Sequence, residues 1–258
     1  MTETKQIGLQ LWSLKTAMQE DANATITRVA KEGYNFVELA GHDAGAGTFH
    51  GLQPDVISKR IQNTGMQIKS VHCNINPFNA VQVCEQAVAT GTQYIVLSFL
   101  TNEQRQSVET YKQAAEDFNK IGAVAKTYNL QFCFHNHAQE FETKQGLIPY
   151  EILLAETDSH LVNFQMDIGW TVFANQQPEQ YFKKHPGRFP LWHLRDFDAQ
   201  TGYTTAVGKG VVDFARIFNE EKTAGFKLGI VELSSHDTVN AWNNIQNSYQ
   251  YLHKAPFG

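Results

Sequence analysis

The chain has 258 residues, 42% apolar and 18% charged, and its 26 acidic and 21 basic residues give a formal net charge of −5 with histidine neutral. A length near 250 residues suits one α/β barrel, and the balance excludes the disordered and fibrous classes. The acidic sum without a basic block excludes the electrostatic footprint of a nucleic-acid binder, and no apolar run approaches the roughly 18 residues a membrane-spanning helix needs.

In chain order, eight β-branched or aromatic runs follow one another: Ile7–Trp12, Asn35–Leu39, Gln67–Val71, Tyr94–Phe99, Leu130–His135, Val162–Asp167, Leu191–Arg195 and Leu228–Leu233. Helical-period segments separate them, which predicts repeated βαβ units and a parallel sheet. Helix starts are predicted at Asn76-Pro77, as N-cap and first helical residue, and at Pro54 and Pro149. Val108, Tyr111, Ala115, Phe118 and Ala125 fall on one stripe of a long helix. Gly33, Gly65, Gly91 and Gly225 each close a helical pattern before a strand, as a left-handed C′ residue does. One strand's length beyond these glycines, about five to seven residues, lie Glu38, His72, Ser98 and Glu232.

The first βα turn, Leu11 to Lys15, has no glycine-rich dinucleotide fingerprint, and eight units are the number that closes a cylinder. The predicted fold is a (β/α)8 TIM barrel. No linker divides it, so residues 1–258 are read as one domain. The polar start Met1 to Gln6 lacks a signal-peptide core, which predicts a soluble, cytoplasmic protein. Cys73, Cys84 and Cys133 form no C-x-x-C pair and read as buried thiols.

Ten histidines are many for this length. His135, Asp167, His193 and Glu232 end four consecutive predicted strands, and in a barrel such ends converge. Taken singly, each more often caps a loop than binds a ligand. Together, at the ends of apolar strands, they are costly to desolvate unless paired or bound to a cation. Imidazole nitrogen with carboxylate oxygen suits one divalent ion, Mn²⁺, Zn²⁺, Co²⁺, Fe²⁺ or Mg²⁺.

The tracts Ile7 to Leu14, His135-Asn136-His137, Asp167-Ile168-Gly169-Trp170, His193-Leu194-Arg195-Asp196, Gly208 to Phe214 and Val231-Glu232 resemble the sugar-phosphate isomerase/epimerase group of the xylose-isomerase-like barrels, in its His-Asn-His branch. The resemblance implies a metal held by Asp167, His193, Glu232 and a fifth-strand residue. That residue is His135 here where the family has Glu, with His137 as an alternative ligand or a base. It further implies a small carbohydrate substrate and a metal-stabilised enediolate formed by proton abstraction, Glu232 or a histidine being the base. Arg195, where the family usually has Lys, reads either as a cation for a developing oxyanion or as a salt-bridge partner of Asp167 or Glu232. Barrels of this kind often pair, so a homo-oligomer is an open expectation.

Around that centre, Glu38 and His72 read as hydrogen-bond partners of substrate hydroxyls or as rim network residues. Glu140 and Glu142 follow the His-Asn-His tract on a loop, where one of them, Glu140 first, is expected to reach a substrate hydroxyl. Trp12 and Trp170 offer flat surfaces to a sugar ring or are plain core. His42 and His50 sit in a glycine-rich loop and read as solvated. The first functional reading is a keto-sugar isomerase or epimerase. The alternatives are a lyase or hydratase acting on a 3-keto-glycoside or inosose, an apurinic-endonuclease-like enzyme, which the acidic charge and Trp170 oppose, and a non-catalytic sugar-binding barrel.

Overall fold

The structure, a computed structural model, describes residues 6–234 and 240–254. Eight strands form the barrel: β1 (Ile7–Gln10), β2 (Phe36–Leu39), β3 (Gln67–Cys73), β4 (Tyr94–Leu97), β5 (Gln131–His135), β6 (Val162–Asp167), β7 (Leu191–Leu194) and β8 (Leu228–Val231). All neighbours pair in parallel, and β8 closes back onto β1 through Gly8 opposite Ile230. The outer elements are α1 (Lys15–Lys31), α2 (Pro54–Gln62), α3 (Ala80–Val88), α4 (Val108–Thr127), α5 (Pro149–Glu156), α6 (Ile168–Phe173), α7 (Pro178–Lys184), α8 (Phe214–Phe218), α9 (Glu221–Ala224) and α10 (Ala241–Lys254). No helix among the described residues is long and apolar enough to cross a membrane.

Every predicted strand is present, with ends that agree to within two residues. Ile7–Trp12 stops at Gln10 because the Gln10 side chain accepts from Trp12 N at 3.0 Å and turns Leu11–Leu14 into a 3-10 helix. Pro54 and Pro149 stand at helix starts as expected. Asn76 does not. Its Oδ1 accepts from the backbone of Phe78 and Asn79, which makes a capped turn, and α3 begins only at Ala80. The stripe from Val108 to Ala125 is buried against the wall, and Gly33, Gly65, Gly91 and Gly225 all have positive φ.

Side chains alternate across the barrel wall. The outward set packs with the helices in one large core, while Phe36, Tyr94, Val96, Cys133, Leu191, Leu228 and Ile230 form a separate cluster inside the cylinder. Gly8 makes room for it: a Cβ there would lie 2.2 Å from the Phe36 ring. Two residues further along the same inward faces stand Gln10, Glu38, His135, His193 and Glu232. Register shifts between Val37 and Glu38, so that Ser70 rather than Lys69 lies opposite Glu38 and His72 follows on the inside. An apolar plug therefore fills the lower barrel and a polar layer lies on top of it.

Candidate metal and substrate site

Donor atoms of His135, Asp167, His193 and Glu232 all lie within 4.8 Å of one another, and His72 with His135 and His193 forms a second, overlapping group. His137 belongs to neither group, so of the fifth-strand pair it is His135 that the fold brings to the other donors. The four residues are buried. Above them opens a cavity of about 470 Å³ whose lining includes Trp12, Lys15, His42, His72, Asn74, Ser98, Phe99, His135, His137 and Glu232.

Each donor is held by identifiable partners. Asp167 N-caps α6, its Oδ1 accepting from Trp170 N at 2.8 Å while Oδ2 accepts from Arg195 Nε at 2.8 Å. Asn136 alternates to the outer side of β5, where its Oδ1 accepts from Asp167 N at 3.1 Å. The His-Asn-His tract thus sends two imidazoles inward and uses its middle residue to fix the neighbouring donor. His193 donates from Nδ1 to Glu232 at 2.7 Å and from Nε2 to Glu38 at 2.5 Å. His135 Nδ1 donates to Gln165 Oε1 at 3.0 Å.

Charge follows from these contacts. Burial would lower the His193 pKa, but Glu38 and Glu232 on either side raise it to about 10, so the ring is an imidazolium near neutral pH. Burial drives His135 well below the ordinary histidine range, with His193, His137 and His72 adding to the effect, so this ring is neutral. Burial raises Asp167 despite the attraction of Arg195. For Glu232, burial is outweighed by Arg195 and His193, which hold the carboxyl well below its usual range.

The donor set fits a divalent cation on two counts. Three carboxylates (Glu38, Asp167 and Glu232) face one permanent cation, Arg195, and in this arrangement the proton on His193 meets only half of the shortfall. A dication with neutral His193 balances the same group. Both histidine rings also already hand one nitrogen to an outer partner, the arrangement by which proteins orient metal-binding imidazoles.

For most of the other residues the structure selects between the alternatives that the sequence left open. Glu38 is fully buried beneath the donors, where its oxygens accept from Gln10, Ser70, His72, Gln165 and His193, and it does not line the cavity. Arg195 spends its donors on Asp167 and Glu232 and packs over Trp170, so it balances carboxylate charge instead of facing a substrate oxyanion. His72 and Trp12 do line the cavity; Trp170 does not, and it packs near His137 and Phe197. His42 is buried and tied to Gln86 and Asn74, and His50 is half-buried with Nε2 enclosed and unpartnered, in place of the solvated histidines expected.

Glu140 turns away from the cavity. Its Oε2 accepts from His137 N at 2.7 Å while the His137 ring accepts from Glu140 N, a reciprocal cap on the 3-10 helix Ala138–Phe141. Burial pushes the Glu140 carboxyl up to about 7, against the pull of those backbone donors and Arg105. Because the folded value lies above the ordinary value of about 4.3, the stabilising contribution is complete below that value and is lost as pH rises through 7. Glu140→Gln keeps an acceptor for His137 N. It is expected to flatten the fall of roughly 3–4 kcal/mol in unfolding free energy between pH 4 and 8, read from urea midpoints along a pH series.

Lys15, Gln10, Ser70 and Gln165 carry parts of the site that the sequence reading did not assign. Lys15 sits in the cavity wall 4.3 Å from the Trp12 ring centre. Asp196, next to Arg195, accepts from the backbone N–H of Phe197, Gly208, Gly210 and Val212. The Gly208-Lys209-Gly210 tract is thereby explained as a loop wrapped on a carboxylate. Gly169 allows α6 to sit on β7: a Cβ there would lie 2.6 Å from the Arg195 carbonyl oxygen. Gly169→Ala is expected to cost about 1–3 kcal/mol through overpacking and to weaken metal uptake by moving Arg195, measured by thermal unfolding and metal titration.

The chain belongs to the xylose isomerase-like TIM barrel family, whose family model matches residues 26–254. Inosose dehydratase from Clostridium tetani is 27% identical over 129 residues, 43% of this chain and 42% of that protein. The chain's matches span about half the length of such curated relatives. A sugar phosphate isomerase/epimerase from Parabacteroides distasonis superposes with a TM-score of 0.86 at 24% identity, covering 99% of this chain and 96% of the other. The IOLI protein, solved with a bound zinc atom, superposes with a TM-score of 0.71 at 15% identity over 95% of each chain. At these identities the likeness to the two structures is one of fold.

Proposed function

We propose that the protein is a divalent-metal-dependent isomerase or epimerase that removes and returns the proton beside the carbonyl of a keto-sugar, sugar phosphate or related polyol. The observation that carries this reading is that Glu232 is both a member of the four-donor group and part of the cavity wall. His135, Asp167, His193 and Glu232 would hold the cation. A divalent cation there would supply Lewis-acid stabilisation of the negative charge that develops on the carbonyl oxygen.

The chain's own residues account for the remaining steps. Glu232 is ionised at neutral pH and positioned to take the substrate proton; its basicity rises when His193 is neutral, because that ring's charge, after that of Arg195, helps to hold it down. His137, lowered to about 4 chiefly by burial, is neutral. Its lone pair accepts from Glu140 N, so its free nitrogen carries a proton and serves as a donor to a substrate oxygen rather than as a base. His72 turns Nε2 to Gln165 and Glu38, leaving Nδ1 for the cavity. Trp12 provides an apolar wall for the C–H face of the sugar.

A lyase or dehydratase reading has a specific observation in its favour: the curated relatives that the chain matches include inosose dehydratases. Only one carboxylate, Glu232, both joins the donor group and lines the cavity, which suits proton removal on one face followed by loss of a β-hydroxyl hydrogen-bonded to His137. NMR in D₂O of metal-loaded protein with a panel of keto-sugars, 3-keto-glycosides and inososes separates the readings. The expected result is deuterium at one carbon with the skeleton intact. Loss of water or aglycone establishes the second reading, and no deuterium from any compound leaves a sugar-binding barrel.

A further inference from the structure

We propose that Glu38 is the positioning residue that decides which ring nitrogen of His135 and of His193 is presented to a cation. The inference deepens the metal-site reading above, yet its primary readout is taken on the metal-free protein. Glu38 stands on the barrel's inner face with no exposed surface. A carboxylate is acceptor only, and five side chains converge on it. Gln165 can meet it only through its amide nitrogen, which donates to Glu38 Oε2 at 2.7 Å.

That orientation leaves the Gln165 carbonyl oxygen to accept from His72 Nε2 at 2.7 Å and from His135 Nδ1 at 3.0 Å. His135 therefore keeps its proton on Nδ1 and its lone pair on Nε2. On the other arm, Glu38 Oε1 accepts directly from His193 Nε2, so Nδ1 is the nitrogen that shares the Glu232 oxygen and yields to a cation. One carboxylate thus sets both rings, one directly and one through an amide. This outer role exceeds charge balance, because it depends on Glu38 lacking a donor.

Glu38→Gln keeps the shape and adds that donor. With its NH₂ group in the Oε2 position, it faces the Gln165 amide nitrogen; Gln165 turns over, its nitrogen meets His135 Nδ1, and the proton moves to Nε2. With NH₂ in the Oε1 position, the variant faces His193 Nε2 and Gln10 Nε2, and His193 loses its anchor. Either way one ligand presents the wrong nitrogen.

The test is two-dimensional ¹⁵N–¹H NMR of the histidine rings in metal-free wild type and Glu38→Gln, with Zn²⁺ titration calorimetry beside it. The expected result is His135 with its proton on Nδ1 in wild type, a changed protonation pattern on His135 or His193 in the variant, and Zn²⁺ affinity lower by about 10–100-fold. If Glu38→Gln does not fold, Gln165→Met cuts one arm, and His135 alone loses its Nδ1–H form. Ring signals identical to wild type in the folded variants overturn the proposal. Wild-type protein that takes up no Zn²⁺ while the ring signals still shift overturns the metal-dependent function and leaves the role of Glu38 standing.

Discussion

Glu232→Gln is expected to slow incorporation of solvent deuterium into a keto-sugar by about 10²–10⁴-fold, the usual contribution of a positioned general base. The carboxylate ends the inward face of β8, lines the cavity, and meets both His193 and Arg195. Glutamine keeps an oxygen of the same reach, so it retains part of the ligand role, but it cannot accept a proton from carbon. The measurement is NMR exchange at a metal concentration that saturates the variant, which separates lost proton transfer from weakened metal uptake. An unchanged exchange rate under saturation removes Glu232 as the base and moves the role to His72, another side chain of the cavity wall. The metal-free variant is also expected to unfold more easily than wild type, since His193 and Arg195 would face one carboxylate fewer.

His193→Ala is expected to abolish metal binding and to lower the stability of the metal-free protein by about 3–5 kcal/mol, the range for breaking a buried ion pair by removing one partner. In the folded protein the imidazolium bridges Glu38 and Glu232. Removing it leaves two buried carboxylates facing an empty volume, with Arg195 reaching only one of them. Calorimetry should give a flat Zn²⁺ isotherm, and urea unfolding should show the lower midpoint. Acid should narrow the gap between variant and wild type, because protonating the two carboxyls relieves the uncompensated charge while wild type loses its ion pairs.

Much of the fold was legible because its signals are local. The left-handed glycines, the first-turn prolines and the stripe from Val108 to Ala125 each depend on a few neighbouring residues. Strand ends were less legible: Leu11 and Leu14 are as buried as strand residues, but a single Gln10 hydrogen bond converts their backbone to 3-10 geometry. Asn76 and Asn79 both accept backbone hydrogen bonds in the turn before α3, and sequence alone does not say which of them precedes the helix. At the site, Asp167, His193, Glu232 and His135 were readable because strand ends of a closed cylinder must converge. The partners of those residues were not. Gln165 is uncharged, and its function arises only when β2, β3 and β5 bring Glu38, His72 and His135 to its amide. Glu38, Arg195 and Glu140 were identified as polar at the right depth, but their direction depends on which donors and acceptors surround them. The bulge opposite Glu38 and the reciprocal cap at His137 supply those neighbours without a sequence signature.

The apolar plug of Phe36, Tyr94, Leu191 and Leu228 has a consequence for traffic through the protein. With the lower barrel filled, the donor cluster is approached from the loop side, through the cavity whose wall carries His135 and Glu232. A cation held as proposed would share that approach with the proposed substrate. Loading would then be ordered in time, because a molecule seated in the cavity would block both the entry and the escape of the ion.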